Sequence, residues 1–347
     1  MKKLAVITVQ SFVLLFLFST SSFVFGQTLT NRPNVNIDAN CNGYVEFLPS
    51  TYNNNTQNYP LLIFLHGNSQ WGPGTDSSLI SVRQLGPNYW VDAWLNPASN
   101  WIPFPGRADL DKMVMISPQF IGPDFYTNPP TPAQVNDVVD YVCTHYRIDP
   151  SRIYMSGPSF GGRWSIEYAS PYPYRVAAII PFAAAIYAEQ PKADSISASN
   201  LPIWMFNNLY DYTVPPSVTQ DWITMFNNPT APIPAPTPLA YATYPNTNGH
   251  IYDDHYRGVD TAFNGLGINM YKWMQQHSRA NYFVGDAGTS WENPGNWSYK
   301  QVPNDSTVVV INRGPVIINS NASCKKITIN PGVTVTVNSG YHLTVKQ

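Results

Sequence analysis

The chain predicts an α/β fold, a mostly parallel sheet with helices on both faces, followed by a small all-β module. Three observations carry this expectation. Short apolar runs recur between residues 43 and 283 and alternate with segments of helical periodicity. Several of these runs are apolar throughout, as strands buried on both faces are. Beyond about residue 284 the texture changes to Val-, Ile- and Thr-rich runs broken by Gly, Pro or Asn, the pattern of short β-strands.

The first residues read as a secretory signal. Lys2 and Lys3 precede a mostly apolar stretch from Leu4 to Phe18, and Val24-Phe25-Gly26 supplies modest residues for cleavage before Gln27. An uncleaved anchor is the rival reading, which the short apolar run fits less well. The expected organisation is a signal peptide over 1–26, an α/β unit over 27–283 and a β-repeat module, solenoid or sandwich-like, over 284–347. The expected location is secreted, extracellular or periplasmic, with no membrane attachment after cleavage.

Within the α/β unit, Gly43-Tyr44-Val45-Glu46-Phe47-Leu48 is an early strand with partial alternation. Leu61–Leu65 and Met113–Ile116 are buried-strand runs, and Val176–Ala184, Ile203–Phe206 and Leu239–Tyr244 follow. Between them lie helices. The clearest starts at Thr131, with Pro132 first and Gln134 three residues after the Thr, a capping-box pattern. Val135, Val138, Val139 and Val142 then form one stripe. In the β-module, Thr307–Ile311, Lys326–Ile329 and Val333–Val337 are short strands. Trp291-Glu292-Asn293-Pro294-Gly295-Asn296-Trp297 opens it and loosely resembles Trp-bearing β-repeat segments of secreted bacterial proteins.

Composition narrows the partners. The whole chain has 19 basic and 21 acidic residues, and loss of Lys2 and Lys3 makes it slightly more acidic. No basic patch is present, which argues against nucleic acid. Charged residues are only 12% of the chain, a surface better suited to neutral substrates. Cys41, Cys143 and Cys324 match no metal spacing. Either a Cys41–Cys143 bridge or three buried thiols fits an exported chain. No cofactor or metal is expected, and the oligomeric state is left open.

The chemistry concentrates at Gly157-Pro158-Ser159-Phe160-Gly161-Gly162, between the strand-like Arg152–Ser156 and a helix start at Arg163. A Gly-x-Ser-x-Gly turn in that setting is a nucleophile elbow, in which strained backbone lifts the serine hydroxyl clear of the sheet. Serine needs a base, and the base an orienting carboxylate. Asp211 follows the strand ending at Phe206, and His250 follows the strand ending at Tyr244, so all three reach one sheet edge. Asp253, Asp254 and His255 are rivals that break the order or lack the preceding glycine. His66 reads as a brace for its loop, and the run from His250 to His255 reads as a solvated loop before it reads as a metal site.

These residues resemble the α/β-hydrolase superfamily, in particular secreted esterases of the feruloyl-esterase, acetylxylan-esterase and polyhydroxybutyrate-depolymerase type; some relatives are described as predicted peptidases. The matching residues are Phe64-Leu65-His66-Gly67, Gly157–Gly162, Asp211 with Val214-Pro215, and Gly249-His250. The resemblance spans roughly residues 43 to 280. It implies Ser159, Asp211 and His250 as the catalytic set, with the backbone N–H groups of Asn68 and Phe160 as the oxyanion hole. Relatives often carry His-Gly where this chain has Asn207-Asn208, a departure in the loop before the acid.

The resulting expectation is a serine carboxylic ester hydrolase acting on neutral esters, including those on plant polysaccharide. A polyester depolymerase or a serine peptidase on the same triad is the enzymatic alternative. A non-catalytic glycan-binding protein on the same scaffold is the other. The long Asn68–Lys112 segment carries several tryptophans, and Trp71 and Trp101, with Trp164 beyond it, are the candidates for substrate contact.

Overall fold

Leu61, Leu62, Ile63 and Phe64 are fully buried, because a strand in mid-sheet is covered on both faces. The computed structural model describes residues 26–96, 103–122, 129–230, 240–258 and 267–346. Residues 1–25 of the expected signal segment and Trp101 lie outside the described residues. Among the described residues no helix is long and apolar enough to cross a membrane.

Among the described residues the main sheet has eight strands. They are β1 (Thr28–Asp38), β2 (Cys41–Leu48), β3 (Tyr59–Phe64), β4 (Val114–Phe120), β5 (Ile148–Pro158), β6 (Ala178–Phe182), β7 (Ile203–Phe206) and β8 (Ala240–Thr243). Their order is β1-β2-β4-β3-β5-β6-β7-β8. The β1–β2 and β2–β4 pairs are antiparallel and every later pair is parallel. Each central strand is one the apolar runs predict. Strand β1 is not, since Thr28–Asp38 is mostly polar and contains Pro33. Such a sequence is tolerated because β1 is an edge strand, and its register shifts after Pro33.

The helices of this unit are α1 (Asp76–Arg83), α2 (Gly86–Leu95), α3 (Arg107–Leu110), α4 (Pro132–His145), α5 (Phe160–Ala169), α6 (Gln190–Ala198), α7 (Pro216–Asn227) and α8 (Met270–Met274). The capping box at α4 forms as its spacing predicts, Thr131 accepting from the Gln134 N–H while the Gln134 side chain accepts from the Thr131 N–H. Val135, Val138, Val139 and Val142 are all buried. The three cysteines are free thiols. Burial pushes Cys41 up to about 12 and Cys143 up to about 11, so both are inert apolar fillers.

The β-module resolves as a solenoid. Its strands are β9 (Asn281–Tyr282), β10 (Val308–Ile311), β11 (Val316–Ile318), β12 (Ala322–Cys324), β13 (Lys326–Ile329), β14 (Val335–Val337) and β15 (Leu343–Val345). Each pairs in parallel with a strand one coil away, β10 with β13, β11 with β14 and β12 with β15. Parallel β9 below β10 begins an earlier coil. The interior holds Val309, Ile311, Val316, Ile318 and Cys324, closed by Phe283, Trp291 and Trp297. Trp297 lies edge-on to Trp291 at 4.7 Å and donates its indole N–H to the Trp291 carbonyl.

The two units meet at the amino edge of the main sheet. Tyr174, just before β6, stacks on Tyr282 at 4.2 Å, with the Arg279 guanidinium over both rings. The buried Arg175 donates to the Ser298 carbonyl. The Arg279 N–H pairs with the Ser151 carbonyl near the start of β5.

The tightest passage in the fold is the crossing of β3 past the turn after β5. A Cβ on Gly157 would lie 2.1 Å from the Leu65 carbonyl oxygen, and one on Gly161 would lie 2.0 Å from the same atom. Backbone on both sides leaves no room for relaxation. Gly161→Ala is therefore expected to destabilise the protein by about 3 kcal/mol or more, or to abolish soluble folding, as read from urea unfolding and soluble yield.

Candidate active site

Ser159 stands at the carboxyl end of β5 with φ 57° and ψ −113°. A residue with a Cβ is strained there, and the surroundings must hold it. They do so through the Ser159 N–H to the Phe182 carbonyl (2.8 Å) and the Ala185 N–H to the Ser159 carbonyl (3.1 Å). The glycines two residues away on each side let β3 approach, as the elbow pattern predicts.

Asp211 follows β7 and is 1% exposed. Its Oδ1 accepts the N–H groups of Thr213 and Val214, each at 2.9 Å. Its Oδ2 accepts His250 Nδ1 at 2.6 Å and the Tyr252 hydroxyl at 2.5 Å. Burial alone would raise this carboxyl, but the bonds from His250, Tyr252 and Val214 outweigh it and hold it below the usual carboxylate range. With Nδ1 donating, the His250 Nε2 is the ring's acceptor. Nε2 is buried and has no hydrogen-bond partner among the described residues.

Two cavities flank this pair. One of about 490 Å³ is lined by Ser159, His250, Ile186, Tyr187, Val214 and Val218. The other, about 220 Å³, is lined by Ser159, His250, Gln70, Leu85 and Ile251. Asn68 lines both. Asn68 opens a 3-10 turn (Asn68–Gln70) and Phe160 opens α5, first-turn positions whose N–H groups point out of the helix start. Ser159, Asn68, Phe160 and His250 thus share one mouth, with Asp211 behind His250.

His66 braces this mouth. The Phe120 N–H donates to His66 Nε2 at 3.1 Å, so Nδ1 carries the proton and donates to the Gly67 carbonyl at 2.7 Å. Gln119 adds a bond to the Gln70 carbonyl. Trp164 is 1% exposed and packed edge-on against His66 and Trp71. The expectation that Trp164 contacts substrate is corrected, because its ring fills the space beneath the loop. Trp71 is half-buried in the same cluster and donates to the Asn68 side chain. Of the rival acids, Asp253 lines the smaller cavity but accepts from the Gly86 N–H, not from His250, and Asp254 pairs with Arg257.

Two contributors escape the sequence reading. Tyr252 donates to Asp211 and accepts the Asn208 N–H at 3.2 Å. Burial and the Asp211 carboxylate push its phenol up, so it remains a donor. Asn208 is fully buried and donates to the carbonyls of Gly249 and Ile251, on either side of His250. Its Oδ1 accepts from Thr247 and from His255 Nε2. The Asn207-Asn208 departure thus ties the acid loop to the histidine loop. The available signals were a polar pair ending an apolar strand and a tyrosine two residues after the histidine.

Among solved structures, the chain is similar to a thermostable esterase, with a TM-score of 0.50 and 20% identity over 74% of this chain and 64% of that one. The chain has the α/β-hydrolase fold. It spans less than two thirds of that protein's length. A ferulic acid esterase is also similar, at TM-score 0.49 and 12% identity over 70% of this chain and 98% of that one. So is a mutant feruloyl esterase module from Clostridium thermocellum complexed with sinapinate, at TM-score 0.47 and 14% identity over 70% and 87%. Residues 282–347 match a family model described as a domain of unknown function (DUF8693). No curated protein sequence matches the chain. In this hydrolase fold the three side chains fall on the edge where open parallel sheets carry their sites.

Two outcomes are expected. Tyr252→Phe leaves the buried Asp211 Oδ2 and the Asn208 N–H each one partner short, and is expected to destabilise the protein by about 1–3 kcal/mol in urea unfolding. The second outcome concerns His66, which burial holds down at about 4 against an ordinary 6.5. The unfolded chain binds a proton between these values that the folded chain does not. Stability is therefore complete above about pH 6.5 and falls as pH drops toward 4, by about 3 kcal/mol from this group. Half-buried His277, also lowered by its partial burial, acts in the same direction. Urea unfolding at about pH 7 and pH 4.5 should show this loss, reduced in His66→Gln.

Proposed function

We propose that the protein is a serine carboxylic ester hydrolase that works through an acyl-enzyme. The observation that carries this reading is the 2.6 Å bond from His250 Nδ1 to the buried Asp211, which leaves Nε2 as a base in the mouth shared with Ser159. In this reading His250 takes the Ser159 proton as Oγ attacks the ester carbonyl. The N–H groups of Asn68 and Phe160 receive the oxyanion. His250 then protonates the leaving alcohol, and a water activated by the same ring releases the acid.

Ile186, Val214 and Val218 make one cavity wall apolar, which favours an uncharged acyl group. Esters carried on plant polysaccharide are the substrates we favour, and export by cleavage before Gln27 is part of the same proposal. The polyester and peptide alternatives use the same triad and differ only in the pockets. The glycan-binding alternative is disfavoured by the strain at Ser159, which a binding module has no use for.

Ser159→Ala is expected to lower kcat/KM on short p-nitrophenyl esters by at least about 10³-fold and to abolish labelling by a fluorophosphonate probe. Turnover by the variant at the wild-type rate would overturn the assignment. Comparison of acetyl, feruloyl and hydroxybutyrate esters then ranks the substrate classes.

A further inference from the structure

Between the two units lies a cavity of about 350 Å³ that no step of the proposed reaction uses. It sits at the amino edge of the sheet, walled by the Ser170–Arg175 turn after α5 and by the solenoid. Ser159 is at the other end of α5, and a ten-residue helix puts about 15 Å between them. Tyr172 and Tyr174 supply aromatic walls, while Lys300, Arg313 and Asp286 supply charge.

The rings of Tyr172 and Tyr174 are each stacked on one tyrosine, Tyr168 and Tyr282, while the charges and hydroxyls of the cavity are unengaged. Lys300, Arg313 and Asp286 take part in no ion pair among the described residues, and the hydroxyls of Ser170, Tyr172 and Tyr174 have no hydrogen-bond partner there. The buried Arg175 alongside them is satisfied by Asp140 and Ser298 except at Nε, which has no partner. The free charge is thus two cations against one carboxylate. A second cavity of about 310 Å³ shares Ser170 and Pro171 with the first and continues along α5 past Glu167 to Arg163, toward the Ser159 end.

We propose that this junction cavity binds an acidic oligosaccharide, with a sugar ring against Tyr172 and Tyr174 and its carboxylate held by Lys300 and Arg313. Ring faces beside hydroxyl donors suit a pyranose. A guanidinium beside an ammonium suits the planar carboxylate of a uronic acid. Pockets at the junction of two units, with a few convergent polar groups, are where such ligands bind. The groove along α5 gives the rest of the chain a path.

The test is isothermal titration calorimetry on the whole chain with tri-galacturonic acid, neutral xylotriose and sodium sulfate. The expected result is a Kd for the acidic trisaccharide of about 1 mM or tighter, weakening with added salt, with no measurable heat from the other two. Lys300→Asn combined with Arg313→Gln should weaken binding at least tenfold. Asn suits position 300 because Lys300 has φ 55°. Both side chains are exposed, so the melting temperature and ester turnover should stay unchanged. Ser159→Ala should bind like wild type, which separates this site from the hydrolase reading. Equal binding of xylotriose or of sulfate, undiminished binding in the double variant, or no heat from the acidic trisaccharide would each overturn the proposal.

Discussion

The close crossing of β3 under the turn that carries Ser159 is the constraint on which the rest of the site depends. The Leu65 carbonyl occupies the space that side chains at 157 and 161 would need. Because both positions are glycine, β3 and β5 pair up to Ser156 and the chain still turns sharply into α5. That same approach brings the loop after β3, with Asn68, to the mouth beside Ser159. One steric condition therefore sets the height of the hydroxyl and the position of the loop opposite it. The strain at Ser159, φ 57°, is held by backbone bonds to β6 and the loop behind it and needs no contribution from its own side chain.

A second layer of order is polar. Asp211 accepts four hydrogen bonds, two from its own loop and two from the loop that carries His250. Asn208 bridges the same loops through the carbonyls of Gly249 and Ile251. A backbone bridge between Tyr210 and Asn248 and the Gly249 N–H to the Tyr210 carbonyl join the same loops, so backbone and side-chain bonds together fix the His250 ring. A buried amide with every polar atom engaged is rigid, since breaking any one bond strands a group away from water.

Much of this was legible in the sequence, and the limits have physical reasons. The parallel strands were visible because burial on both faces forces continuous apolar runs such as Leu61–Phe64. The α4 start was visible because its cap is local, from Thr131 to Gln134. The order Ser159, Asp211, His250 was visible because each follows a strand end. Strand β1 was not, because an edge strand has little apolar demand. Tyr252 and Asn208 were not, since their roles depend on two loops 41 and 43 residues apart meeting in space. Trp164 was misread because an aromatic near the elbow serves equally as a wall or as filler, and only its 1% exposure decides.

The junction of the two units bears on what a boundary in this chain means. Composition changes sharply near residue 284, and each side has its own apolar core. Yet Tyr174 and Tyr282 share one stack, and Arg175, buried within the first unit, finds one of its two acceptors on the second. Cutting the chain at the change of texture would leave that guanidinium short of a partner and an aromatic face bared to water. The solenoid therefore serves as a structural lid on the foot of the sheet.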